Sequence, residues 1–250
     1  MQDLAKQVAE SDSGLDNEEA LLERWDGRPD LVMEDLFEIR DLESKEVTNL
    51  ELTPYQRRFV HAVWYGEAST TAVLKGRRTG YSFIAGATSL LYSIVTPHAF
   101  IAITAPSKSQ AKDRIEDIRD LIEWAKVDFD LEVDNRDEIK LSNGSTLMAF
   151  SGNPDTSRGA DSADILFIDE MAFLEDQSAT LDAYLPTISL GSAQMVQIST
   201  PKASNDEFLN ANEAGTRDGK NDRGILSLQQ PTFQNADEIV VMDQGRIVEQ

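Results

Sequence analysis

The chain contains no cysteine. That excludes a disulfide scaffold and any thiolate-held zinc or iron–sulfur centre. Only two histidines are present, His61 and His98, too few for a histidine-rich metal centre. No apolar run reaches the ~18 residues that span a bilayer. The opening stretch MQDLAKQVAESDSGLDNEE has no basic segment followed by an apolar one, so no secretory signal is read there. Basic residues are also scarce: 23 Lys and Arg stand against 45 Asp and Glu, a net charge of −22. Phosphate neutralisation needs local cations, so this balance disfavours a stand-alone nucleic-acid binder. The acidity reads either as a solubilising surface or as adaptation to a high-salt cytoplasm. At ~1 M salt the Debye length is only ~3 Å and acid–acid repulsion is largely screened. Arginines outnumber lysines.

What is present is enough for one large α/β domain with a buried core, or two small domains: 250 residues, 40% of them hydrophobic. Residues 1–49 read as an acidic leader, helical or partly disordered. Within it, EEALLERW (18–25) and LVMEDLFEIRDL (31–42) have helical apolar spacing and are joined by a GRPD turn. Residues 50–230 carry the main domain. LTPYQRRFVHAVW (52–64) predicts a helix with Thr53 as N-cap, Pro54 at the first position and Gln56 at the third. Strands are expected at 70–76, 98–106, 163–170 and 194–200, helices at 80–95 and 107–126, and a hairpin over 138–151 turning at Asn143-Gly144. Apolar strands alternating with helices argue for a mostly parallel sheet covered on both faces. Ligands bind such sheets beyond the carboxyl ends of the strands.

Three chemical segments fall at such ends. KGRRTGYS (75–82) lies between a strand and a helix, the context of a phosphate-binding loop. The common pattern G-x-x-x-x-G-K-[ST] is broken twice, by Lys75 in place of the first glycine and by Tyr81 in place of the lysine. Gly80 allows close backbone approach, and Ser82 stands where the loop's Ser or Thr holds magnesium. A tyrosine supplies no cation, but Lys75, Arg77 and Arg78 are nearby. ILFIDE (165–170) ends an apolar strand in adjacent carboxylates, suited to metal-assisted phosphoryl transfer. Asp169 is the expected metal holder. Glu170, on the opposite side of the strand alternation, is expected to activate water. ISTP (198–201) places Ser199 and Thr200 at a third strand end. Each segment also has a bland reading: a basic turn, an ordinary acidic strand end, a strand-to-loop transition.

LTPYQRRFV, KGRRTGYS, SRGADSADILFIDEMAFL and QISTPK, in that order, resemble the ATPase motor of the terminase large subunit of tailed viruses. The resemblance covers roughly 50–210 and implies a P-loop NTPase fold of the ASCE type. Some terminases carry a deviant Walker A whose lysine opens the loop and which ends in Gly-Tyr-Ser; Lys75, Gly80, Tyr81 and Ser82 resemble that version. By this resemblance the ATP-binding residues are Tyr55 and Gln56 (the Q motif) and Lys75, Gly76, Arg77, Arg78, Thr79, Gly80, Tyr81 and Ser82. Ser82 and Asp169 are the Mg²⁺ residues, and Glu170 is the catalytic glutamate. Arg158 completes a neighbour's site, and Ser199 and Thr200 form the coupling motif. Gln56 is equally read as a helix cap.

The implied cofactors are ATP and Mg²⁺. The implied partners are double-stranded DNA, portal, the small terminase subunit and further copies in a ring, with no membrane, in the cytoplasm of an infected host. DNA contact requires a local basic patch, such as Arg57-Arg58 or Lys108, Lys112 and Arg114, or a further domain. Full-length large subunits continue into a nuclease domain, for which this chain is too short. Residues 231–250 read as a β-hairpin finishing the sheet or as a fused tail. NADEIVVMDQGRIVEQ resembles a segment near the end of ABC transporter ATPase domains, but no LSGGQ-like sequence or switch histidine accompanies it. The alternatives are a helicase-like P-loop ATPase and a nucleotide-binding assembly module with a degenerate site.

Overall fold

The computed structural model describes residues 1–11, 17–40, 46–152, 163–188, 193–202, 206–215, 224–230, 241–243 and 246–249. Three short helices open the chain: α1 (Gln2–Ser11), α2 (Glu18–Trp25) and α3 (Pro29–Leu36). The helix expected over 31–42 therefore stops early. Phe37 turns to an extended conformation with its ring fully buried. Strand β1 (Glu38–Arg40) then pairs antiparallel with β2 (Val47–Asn49). Leu4, Val8, Leu21, Trp25, Met33 and Leu36 of these helices join the main hydrophobic core.

Helix α4 (Pro54–Trp64) begins with the expected capping box: Thr53 accepts from the Gln56 backbone and Gln56 reaches back to Thr53. There follow β3 (Thr70–Lys75), α5 (Tyr81–Val95), β4 (Phe100–Ala105) and α6 (Lys108–Glu123). Ser107 and Gln110 form a second capping box at the start of α6. Next come β5 (Leu131–Asn135), β6 (Glu138–Leu141), β7 (Thr146–Ser151) and β8 (Ile165–Asp169). The order ends with α7 (Gln177–Ile188), β9 (Gln194–Ser199), α8 (Glu207–Ala214), β10 (Ile225–Gln230), β11 (Val241–Asp243) and β12 (Arg246–Glu249).

Eight strands form one sheet in the order β10-β3-β9-β8-β4-β7-β6-β5. Pairings from β10 through β7 are parallel, and the β7-β6-β5 edge is antiparallel. The two faces are read directly from residue alternation. Ile101 and Ile103 of β4 and Ile165 and Phe167 of β8 pack into one core with α5 and α6. Ala102, Leu166 and Ile168 pack into a second core with Tyr184 of α7 and Phe208 of α8. The sheet is thus covered on both sides, as the continuous apolar runs require.

Strands β5 and β10 have no counterpart in the sequence-based reading. LEVDN is half polar, and ILSLQQ ends in two glutamines, so neither is a clean apolar run. The expected terminal hairpin has its two strands paired antiparallel, but they form a separate two-stranded sheet and do not extend the main one.

Candidate active site

The order β3-β9-β8 decides the site. Parallel strands leave their carboxyl ends on one edge, so Lys75 (β3), Ser199 (β9) and Asp169 (β8) come out side by side. In the register, Leu74 lies opposite Ser199, and Ile198 lies opposite Asp169. The ISTP strand is therefore wedged between the basic loop and the acidic strand end.

The loop after β3 is pinned at several points. Gly76 N–H donates to the Gln230 carbonyl at 2.7 Å, tying the loop to β10. Thr79 Oγ1 donates to the Gly76 carbonyl at 3.1 Å. Gln56 Nε2 donates to the Thr79 carbonyl at 3.0 Å, while Gln56 Oε1 accepts from Thr53 N–H at 2.8 Å. Gln56 thus caps α4 and holds the loop at once. Gly80 has φ +75°, and a Cβ there would sit 3.1 Å from Gln56 Nε2. Both facts favour glycine. Arg78 is also left-handed, at φ +59°. Tyr55, in the first turn of α4, is partly exposed.

Tyr81 opens α5, and its side chain faces inward. It is 1% exposed, with its ring edge-to-face on Phe59 at 5.6 Å. Burial pushes its phenol above the ordinary tyrosine range. The residue at the usual lysine position is therefore a core residue. Lys75 does point into the site: its Nζ donates to Glu170 Oε1 at 2.8 Å and to Ser82 Oγ at 3.3 Å.

Ser82 Oγ in turn donates to Asp169 Oδ1 at 2.7 Å. Burial raises the Asp169 carboxyl above its ordinary value, against the pull of Ser82, Lys75 and Arg114. Glu170 departs from the expected alternation. It lies past the strand end in a left-handed conformation, φ 50° and ψ 44°, and caps a short 3₁₀ turn over Met171–Phe173. That twist brings its carboxylate to the same side as Asp169. Ser199 Oγ lies 3.4 Å from Glu170 Oε2, donates to the Thr200 carbonyl and accepts from Ala172 N–H. The Glu170 conformation is sparsely populated for a non-glycine residue and is held by these contacts.

Beside this cluster is a cleft of ≈ 450 Å³ lined by Lys75, Arg77, Arg78, Glu170 and Thr200, together with Pro106, Gln110 and Phe173. A larger cavity of ≈ 610 Å³ between α1 and the segment after α6 is lined by Gln7, Glu10, Glu38 and Asp128 and shares no residue with this cluster. The donor set suits magnesium: a hydroxyl and a carboxylate already in contact, next to space for phosphate oxygens and water. No group of three or more His, Cys, Asp or Glu that could hold a metal ion forms among the described residues.

Arg114, on α6, reaches the site unforeseen. Its Nη1 is 3.2 Å from Asp117 Oδ2 and 3.8 Å from Asp169 Oδ2. Nothing in the sequence pattern shows which way this arginine points. The other cations considered for DNA contact are engaged by acids as well. Arg57 pairs with Asp30 and Glu34, Arg58 with Glu67, and Lys108 and Lys112 with Asp137. Arg158 lies outside the described residues. No helix among the described residues is long and apolar enough to cross a membrane.

The fold has known counterparts. It superposes on the large terminase ATPase domain of Thermus phage P74-26 with a TM-score of 0.59 at 20% identity, covering 74% of this chain and 82% of that one. The HK97 bacteriophage large terminase gives a TM-score of 0.60 at 14% identity over 76% of this chain and 41% of that one. A large terminase from a thermophilic bacteriophage, in complex with ADP, gives 0.56 at 11% identity over 71% and 45%. The match thus spans less than half of those last two large terminases. No curated protein matches. Residues 72–238 match the family described as terminase large subunit, T4likevirus-type, N-terminal. That match takes in the loop after β3, the acidic strand end and the ISTP strand that converge on one cleft, and the chain belongs to this terminase large subunit family.

Proposed function

We propose that this chain is the ATP-hydrolysing motor of a viral terminase and that it drives double-stranded DNA into a procapsid. The observation that carries the reading is the contact of the Lys75 amine with the Glu170 carboxylate at 2.8 Å, inside a cleft at the carboxyl edge of the sheet. The phosphates of ATP lie along the loop 75–82, where the N-terminus of α5 presents backbone N–H groups. Lys75 offsets phosphate charge, helped by Arg77 or Arg78. Ser82 and Asp169 would hold Mg²⁺, which would supply charge neutralisation to the phosphates when bound. Glu170 accepts a hydrogen bond from the attacking water and orients it in line with the terminal phosphoryl group. Ser199, between the two halves of the site, reports the state of Glu170 to β9 and Thr200. The adenine end falls to the start of α4 with Tyr55 and Gln56, where Gln56 also holds the loop through its bond to the Thr79 carbonyl.

Arg158 enters the site of the next copy in a homo-oligomeric ring, which works with portal and the small subunit in the infected cell's cytoplasm. An arginine supplied in this way is worth ~10³–10⁵ in rate. The acid excess fits a virus of a high-salt host; unfolding on dialysis into low salt supports that part, and indifference to salt counts against it.

The test is phosphate release and nucleotide binding, with and without double-stranded DNA. Wild-type chain that neither binds ATP nor releases phosphate under any of these conditions removes the reading.

A further inference from the structure

Each oxygen of the Asp169 carboxylate has a polar neighbour, one within hydrogen-bond distance and one as a longer ion pair. Oδ1 accepts the Ser82 hydroxyl at 2.7 Å, and Oδ2 faces Arg114 Nη1 at 3.8 Å. Arg114 stands on α6, an element that carries none of the four motifs. Its guanidinium is in turn held by Asp117, one helical turn on, at 3.2 Å. The Arg114 side chain is only 25% exposed, and its Nε is buried without a hydrogen-bond partner. A half-desolvated guanidinium with a donor left over is costly to place unless its charge is used. Asp117 is itself pushed toward the neutral form, chiefly by burial, which Arg114 opposes.

We infer that Arg114 is a positioning residue for the nucleotide-bound metal. Anchored by Asp117, it biases the Asp169 carboxylate toward the orientation in which Oδ1 is directed at Ser82, the pair that would hold the ion. This rests on the nucleotide-site reading above. A carboxylate with one oxygen free to rotate presents the same charge but not a fixed ligand geometry. Partners that orient a metal ligand in this way typically govern about 10–100-fold in metal affinity.

The readout is the Mg²⁺ concentration that half-saturates binding of a fluorescent, non-hydrolysable ATP analogue, with metal-free binding measured in EDTA alongside. Arg114→Gln is expected to raise that concentration by about tenfold while leaving binding in EDTA within error of wild type, with a lowered melting temperature because Asp117 and Asp169 lose their cation. Arg114→Lys, which keeps the charge, is expected to recover most of the loss. Asp117→Asn, which frees the guanidinium without removing it, is expected to cause a smaller rise. A folded Arg114→Gln protein with wild-type Mg²⁺ dependence overturns the inference and leaves the nucleotide site intact. An equal loss in EDTA also overturns it, because Arg114 would then serve the nucleotide or the fold directly. If Arg114→Gln does not fold, Asp117→Asn decides, and unchanged Mg²⁺ dependence there rejects the role. Wild-type chain that binds no analogue at all defeats the nucleotide-site reading, and the inference with it.

Discussion

Lys75 and Glu170, 95 positions apart in the chain, meet at 2.8 Å. They close a line of polar contacts that runs from α6 through the strand ends: Asp117, Arg114, Asp169, Ser82, Lys75, Glu170 and Ser199. Each member is supplied by α6, β8, α5, β3 or β9, or by the turn after β8.

The two ends of the Lys75–Glu170 contact should separate binding from turnover. Glu170→Gln is expected to bind ATP with near-wild-type affinity and to lose about 10²–10⁴-fold in turnover, the range of a lost general base. Lys75→Ala is expected to lose both. Phosphate release and analogue binding on the two variants decide this; a Glu170→Gln protein with wild-type turnover removes the glutamate's assignment.

Tyr81 should behave as a core residue despite its place in the loop motif. Tyr81→Phe keeps the packing on Phe59 and is expected to change stability by less than about 1 kcal/mol. Tyr81→Lys, which restores the common motif, buries an ammonium in that space and is expected to cost at least about 3 kcal/mol. It should also fail to rescue Lys75→Ala. Urea unfolding gives the first two numbers, and activity of the double variant gives the third.

Asp169 should trade stability for function. Burial holds its carboxyl above the ordinary value, so ionising it costs more in the folded chain than in the unfolded one and the charge is a penalty at neutral pH. The sign follows: the penalty is present above the folded value and is relieved as the pH falls through it. Asp169→Asn is accordingly expected to raise the melting temperature at pH 7 while abolishing Mg²⁺-dependent turnover. A lowered melting temperature contradicts the account.

Asp30 should show the opposite sign. It is fully buried and accepts from Arg28 and Arg57 and meets His61, at 2.7–3.0 Å. Burial alone would raise its carboxyl, but the bonds from Arg28, Arg57 and His61 outweigh it and hold the carboxyl well below the usual range. Its contribution is full above the unfolded value of about 3.9 and is lost as the pH falls below that. Asp30→Ala is expected to cost about 2–4 kcal/mol at pH 7 and to flatten the acid limb of the stability curve. Denaturation midpoints between pH 7 and pH 3 measure both effects. The same residue ties α3 to α4 through Arg57, so the opening helices should loosen first in hydrogen exchange of the variant.

By itself the sequence determined the local features. Capping at Thr53 was legible because a cap involves residues three apart. The parallel sheet was legible because strands buried on both faces must be apolar throughout. The strand-end placement of Lys75, Asp169 and Ser199 followed from those runs. Tertiary structure alone decided that β9 lies between β3 and β8, which puts Ser199 between the lysine and the carboxylates. It decided that Glu170 twists out of the strand alternation and that Tyr81 turns inward. It also decided that Arg114 leans from a neighbouring helix onto Asp169 and that β10 anchors Gly76. Strand order and side-chain direction are set by how whole layers pack against one another, and that energy is shared among residues far apart in the chain.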